Sequence, residues 1–287
     1  MPRFPTLLLI AAAASIACAD AMRPFAVIAH RGASWDAPEH SFASWDLARE
    51  AGADWLEFDL QRTADGALVV FHDDSLDRVA RGPVADCTGL VRERTLAQLR
   101  RCEIGSWFNA AHPDRAQASY VELRIPTLDE ALVRYGDSSR LYIELKDPAS
   151  APGMERDLLA SLVAAGLRDR MVLEQRLLVQ SFSPPSLEQL HALAPEIPLV
   201  QLVHDSIPSA ELPAALARVA GYARGIGPSR AITDSALVAA AHAKGLMVHP
   251  YTVNDEALMR HFIRLGVDGL FTDRPALLRS VLADRAP

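Results

Sequence analysis

The chain has no basic run and no interleaving of aromatic with basic residues of the kind that follows a phosphate backbone; its balance is mildly acidic, with a formal charge of −7 at neutral pH. Nucleic acid is therefore not an expected partner. Beyond the N-terminus no segment stays apolar for the roughly 20 residues that cross a bilayer, so no membrane span is expected there. Cysteine is scarce, three in 287 residues. Also missing are Gly-x-Ser-x-Gly, Gly-x-x-x-x-Gly-Lys and Gly-x-Gly-x-x-Gly motifs. Without them, serine hydrolase, nucleoside triphosphatase and dehydrogenase readings lack support.

What is present is apolar mass: half of the residues, enough to bury a large core. Parallel barrels of about this length form one domain, expected here over residues 24–287. At the N-terminus Arg3 supplies a positive charge, Leu7 to Ala17 form an apolar run, and Ala17-Cys18-Ala19 has the small-x-small pattern of a signal-peptidase site. Residues 1–19 read as an export signal and the mature chain as periplasmic or secreted. The alternative is a lipoprotein anchored at Cys18, against which Ser15 stands where that pattern resembles one wanting a large aliphatic. In an oxidising compartment the two remaining cysteines, Cys87 and Cys102, are expected to form a disulfide around 14 intervening residues.

Past the signal, short apolar runs alternate with amphipathic segments. The runs are Phe25 to Ala29, Trp55 to Leu60, Leu141 to Leu145, Leu177 to Val179, Leu199 to Val203, Gly225 to Gly227, Leu246 to Val248 and Gly269 to Phe271. Strand alternating with helix at this spacing means βα units on a parallel sheet. Eight units close a (β/α)8 TIM barrel, an α/β fold. One run, Leu68 to Phe71, is left over, and Asp65-Gly66 carries a turn signal before it. Leu60 to Phe71 therefore reads as a hairpin rising above the second strand and returning His72 close to Asp59. Residues 75–124 do not fit the repeat and read as a small insertion after the second strand, over the barrel mouth. A stretch that long should contain at least one helix, expected at Leu96 to Cys102.

In such a barrel the active site lies at the carboxyl ends of the strands. There the sequence places His30-Arg31, Glu57-x-Asp59, Glu144-x-Lys146, Gln180-Ser181, Tyr251-x-x-Asn254 and Thr272-Asp273. Glu57 and Asp59, two apart on a strand, point to one face, as do Glu144 and Lys146. Three carboxylates converging inside a barrel cannot all stay ionised without positive charge among them. One hard divalent cation with oxygen ligands, Mg²⁺ or Ca²⁺, fits that need. Two histidines beside a cation, with Arg31 and Lys146 near, suit phosphodiester cleavage: the cations neutralise phosphoryl charge while the histidines transfer protons.

The blocks His30-Arg31-Gly32-Ala33-Ser34, Pro38-Glu39-His40-Ser41, Gly52-Ala53-Asp54-x-x-Glu57-x-Asp59, His72-Asp73-x-x-Leu76-Asp77-Arg78, Ile125-Pro126-Thr127-Leu128, Glu144-Leu145-Lys146 and Tyr251-Thr252-Val253-Asn254 resemble the signature of the glycerophosphodiester phosphodiesterase family. The resemblance runs from about residue 25 to 280 in the family's order. It implies His30 and His72 as the catalytic acid/base pair, Glu57, Asp59 and Glu144 as metal ligands, and Arg31 and Lys146 as phosphate contacts. Glu39 matches a family carboxylate beside the metal site, and Phe182 and Tyr251 are candidate walls of a glycerol pocket. Two positions depart from the family: Tyr251 stands where it usually shows Trp, and His40 where it often shows Asn.

The expected function is hydrolysis of small glycerophosphodiesters to sn-glycerol 3-phosphate and an alcohol. Two rivals are a lysophospholipase D-like or sphingomyelinase D-like enzyme acting on whole lipids and a silent barrel that only binds glycerophosphodiesters. The first should expose apolar surface at the mouth, yet the insertion offers Trp107-Phe108 among Arg92, Glu93, Arg94, Arg100, Arg101 and Glu103. The second should lack a histidine or a carboxylate of the set, and none is missing.

Overall fold

The computed structural model describes residues 25–284. The export signal expected over residues 1–19 and the lipid attachment weighed at Cys18 lie outside the described residues. The strands are β1 (Ala26–Ala29), β2 (Trp55–Arg62), β3 (Leu68–Val70), β4 (Leu141–Leu145), β5 (Leu177–Ser181), β6 (Leu199–Val203), β7 (Gly225–Pro228), β8 (Met247–Val248) and β9 (Gly269–Thr272). All except β3 run parallel, in the order β8-β7-β6-β5-β4-β2-β1-β9. Backbone bonds from Asp268 N to Val248 O and from Phe271 N to Pro250 O, both 3.0 Å, carry the sheet from β9 round to the chain after β8. The result is a (β/α)8 TIM barrel. Where the ends of the chain meet, β1 pairs with β9 over Ala26↔Gly269 to Ala29↔Thr272. A Cβ at Gly269 would stand 2.7 Å from the Ala26 carbonyl oxygen, so this seam admits no larger residue without moving the backbone.

The helices are α1 (Phe42–Glu50), α2 (Val84–Cys87), α3 (Leu96–Leu99), α4 (Ser106–Ala111), α5 (Leu128–Tyr135), α6 (Met154–Ala164), α7 (Arg168–Leu173), α8 (Pro184–Leu193), α9 (Leu212–Val219), α10 (Ser235–His242), α11 (Glu256–Leu265) and α12 (Pro275–Ala283). Several starts are written in the sequence. Thr127 caps α5 and Glu130 answers in a capping box, while Asp255 caps α11 and Gly266 ends it at φ 87°. Residues with period two on the strands divide into two cores. Val27, Phe58, Ile143 and Val179 pack outward against helices, whereas Ile28, Tyr142, Leu178, Val200 and Phe271 fill the barrel interior.

The surplus run forms the expected hairpin: β3 pairs antiparallel with β2 over Leu60↔Val70, Gln61↔Val69 and Arg62↔Leu68. Residues 75–124 form a satellite unit with its own apolar cluster around Phe71, Leu76, Leu99 and Ile104, and Cys87 and Cys102 join there in a disulfide. The helix expected there is shorter, Leu96–Leu99 rather than Leu96 to Cys102. The reason is local: Glu103 exchanges two 2.8 Å backbone bonds with Arg81, drawing the chain out of helix just as the disulfide anchors Cys102. The unit packs on the loop after β1, with Phe108 and Tyr120 against Ala37.

Candidate active site

Continuing each interior strand face by two residues converts the apolar plug into a polar layer. Ile28 is followed by His30, Tyr142 by Glu144, Leu178 by Gln180 and Phe271 by Asp273, while β2 contributes Glu57 and Asp59 on the same face. Strand register aligns them: Asp59 lies across from Glu144, and Glu144 across from Gln180. Glu57 and Asp59 are each 1% exposed, so their charges are isolated from bulk water and must be answered from within.

Each of the two histidines is anchored through Nδ1. His30 Nδ1 lies 2.6 Å from Asp273 Oδ1, and His72 Nδ1 lies 2.6 Å from Asp73 Oδ1. Burial alone would raise the Asp273 carboxyl. Its contacts with His30, Asn254 and Ser34 nevertheless bring it down to about 2. Asp73 is likewise held well below the usual carboxylate range by His72 and Arg78 despite its partial burial. Both aspartates are ionised and can only accept, so both Nδ1 atoms carry the proton and Nε2 is the nitrogen that can exchange one. Burial lowers the His72 pKa, keeping its ring neutral and fit to take a proton.

Around them carboxylates outnumber cations. Arg31, held at φ 57°, donates its backbone N–H to Glu57 (2.8 Å) and its Nη1 to Glu39 (3.1 Å), with Nε 3.6 Å from Asp59. Lys146 Nζ lies 3.0 Å from Glu144 and 3.9 Å from Asp59. Arg78, from the satellite unit, grips both oxygens of Glu39 at 2.8 and 2.6 Å and reaches Asp73 at 2.5 Å. Burial would raise Glu39, but this fork and Arg31 hold it at about 2. Lys146 and His40 hold Asp59 ionised against its burial. The remaining two cannot be held: burial and the Asp59 charge push Glu144 up to about 8, and burial, Asp59 and Glu144 push Glu57 well above its ordinary range.

That excess is what a divalent cation would answer, and the donor set fits one. Ligand atoms of His40, Glu57 and Asp59 all lie within 4.8 Å of one another, with every contributing residue buried. Glu144 stands opposite Asp59 in the same layer. The Gln180 amide lies 3.3 Å from Glu57 and leaves its own Oε1 buried without a partner, an acceptor a cation would satisfy.

The sequence profile of the glycerophosphoryl diester phosphodiesterase family matches residues 30–277. The chain belongs to this family. A glycerophosphodiester phosphodiesterase of Bacillus subtilis (strain 168) is 42% identical over 254 residues, 88% of this chain and 85% of that protein. Among solved structures, a glycerophosphodiester phosphodiesterase from Agrobacterium tumefaciens str. C58 is 29% identical with a TM-score of 0.69, over 89% of this chain and 99% of that one. A phosphodiesterase from Oleispira antarctica, solved in complex with the product sn-glycerol-3-phosphate, is 33% identical with a TM-score of 0.72, over 90% and 96%.

Within this phosphodiesterase fold the residues picked out by sequence meet at one end of the barrel. His30, Glu57, Asp59, His72, Glu144, Arg31, Lys146 and Glu39 form the connected set described above. Phe182 and Tyr251 stand beside it, their rings 5.8 Å apart and edge to face, with Lys146 Nζ 6.0 Å from the Phe182 ring. Four residues enter that the sequence reading left without a role: Asp73, Asp273, Arg78 and Gln180. A signal existed for all four, since Asp73 and Arg78 lie in the His72 block while Gln180 and Asp273 stand at the carboxyl ends of barrel strands; their pairing with particular histidines and carboxylates is a matter of three-dimensional placement. His40, buried at 2% exposure with Nε2 2.7 Å from Asp59 Oδ2, is the fifth addition.

Proposed function

We propose that this chain hydrolyses small glycerophosphodiesters to sn-glycerol 3-phosphate and a free alcohol, with a divalent cation held by Glu57, Asp59 and Glu144. The observation that carries the reading is the pair of Nδ1-anchored histidines, His30–Asp273 and His72–Asp73, set beside a carboxylate layer that burial has left partly uncompensated. Mg²⁺ or Ca²⁺ bound there would neutralise phosphoryl charge and polarise the phosphorus centre. Arg31 and Lys146 then have a phosphate oxygen to exchange for their present carboxylate partners. One histidine Nε2 removes a proton from the nucleophile, the other donates one to the leaving alkoxide, and each aspartate steadies the imidazolium that forms. Phe182 and Tyr251 offer apolar surface to the glycerol carbons, and Glu39 fixes Arg31.

An exported location rests on the N-terminal sequence, and the Cys87–Cys102 disulfide supports it, since such bonds persist in oxidising compartments. The deciding experiment is release of sn-glycerol 3-phosphate from glycerophosphocholine and glycerophosphoethanolamine, followed with a coupled glycerol-3-phosphate oxidation. Activity should vanish on chelation and return with Mg²⁺ or Ca²⁺. No release from either diester with any divalent ion would overturn the reading, and choline release confined to lysophosphatidylcholine or sphingomyelin would move it to the lipid-acting class.

A further inference from the structure

We infer that His40 supplies an imidazole nitrogen to the cation site, making it a mixed nitrogen and oxygen site rather than an all-oxygen one; the inference rests on the metal-dependent reading above. His40 sits at φ 52° on the loop before α1, its backbone N–H bonded to the Arg31 carbonyl at 3.1 Å. This left-handed turn delivers the ring into the carboxylate layer, where the side chain is 2% exposed. Nε2 meets Asp59 Oδ2 at 2.7 Å, and with Glu57 these form the trio whose ligand atoms fall within 4.8 Å. Two donors bonded to one ion at about 2.0–2.2 Å stand roughly 3 Å apart, so the His40–Asp59 pair needs only a slight opening for a metal to replace the shared proton.

The other ring nitrogen, Nδ1, is buried without a hydrogen-bond partner, and it is where the proton would go if Nε2 gave it up to a metal. Nε2 alone has a polar partner, and that partner is a candidate ligand. Chemistry follows from the donor type. Carboxylates alone suit Mg²⁺, Ca²⁺ and Mn²⁺; an added imidazole shifts preference toward Zn²⁺ and its softer neighbours. His40 therefore raises the affinity of the site for Zn²⁺ relative to Ca²⁺.

The test uses full-length protein freed of metal by chelation and reloaded with Mn²⁺, read by electron spin-echo envelope modulation, together with calorimetric titration of Zn²⁺ and Ca²⁺. Wild type should show the modulation of a directly bound ¹⁴N. His40→Asn, which tolerates the left-handed turn, should lose it. That variant should also bind Zn²⁺ about 10- to 100-fold more weakly while Ca²⁺ affinity changes by less than about threefold. Bound Mn²⁺ without nitrogen modulation in wild type would overturn this inference alone and needs no variant. Modulation surviving in His40→Asn would assign the nitrogen to His30 or His72 and also overturn it. Failure of any divalent ion to bind would remove the metal from the proposed function as well.

Discussion

Asp273→Asn isolates what anchoring contributes to the His30 side of the reaction. Asp273 accepts from His30 Nδ1 at 2.6 Å and from Ser34 Oγ at 3.0 Å, and its second oxygen accepts from the Asn254 amide. An amide in its place cannot accept from all three. If its oxygen stays toward His30, the charge is lost from a charge-assisted bond worth about 1.5–3 kcal/mol, which at about 1.4 kcal/mol per tenfold is roughly 10- to 150-fold in rate. If its NH₂ turns toward His30 instead, it forces the proton onto Nε2, and a wrong tautomer in a histidine–carboxylate pair costs up to about 10⁴-fold. Either way kcat should fall at least about tenfold. KM should stay within about threefold, because Asp273 is a positioning residue and does not reach the substrate. The assay is steady-state release of sn-glycerol 3-phosphate at saturating cation, with circular dichroism to establish folding. A folded Asp273→Asn protein with kcat within threefold of wild type would refute the role assigned to this pair.

Other outcomes follow from the same geometry. His30→Ala and His72→Ala should each cost about 10² to 10⁴ in rate, and near-full activity in either variant would end its proton-transfer role. Glu39, ordinarily near 4.5 and here about 2, stabilises the fold above pH 4.5 and loses that contribution as pH falls toward 2. The shift corresponds to about 3 kcal/mol. Urea midpoints at pH 6 and pH 3 should therefore lie further apart in wild type than in Glu39→Gln. Glu144 has the opposite sign: raised to about 8, it costs stability that is absent below pH 4.5 and grows as pH rises toward 8. Added Mg²⁺ or Ca²⁺ should accordingly raise the melting temperature of chelated protein more at pH 8 than at pH 5, and equal shifts would count against Glu144 as a ligand. Replacing Cys87 and Cys102 together by Ala reopens a 15-residue separation and should cost about 3 kcal/mol on the chain-entropy argument, measurable by denaturant titration.

The fold was legible because its signals are periodic. Eight apolar runs with helices between them, and Asp65-Gly66 between Leu60 and Leu68, specify a barrel and a hairpin through local chemistry alone. Within the satellite unit the disulfide and α3 were legible but α4 was not, since it has no side-chain cap at Gly105 and its Phe108 packs on Ala37 and Tyr120. Glu57, Asp59 and Glu144 were legible as a set because period two on a strand fixes the face they share. The partner of each histidine was not, because nothing in residues 28–34 indicates which of several aspartates will lie beside His30. His40 was visible only as a departure from a pattern; its reach to Asp59 depends on a left-handed turn that no periodicity signals.

The pairing of His30 with Asp273 joins residues 243 positions apart. Its consequence concerns timing. At roughly 5–20 residues per second of synthesis, His30 exists for tens of seconds before its aspartate has been made. β1 spends the same interval without its β9 neighbour. The last strand to be delivered thus closes the barrel and completes a proton-transfer pair in one event. A chain released short of Gly269 would carry most of the pocket and neither of those two things, so the onset of turnover should report barrel closure directly.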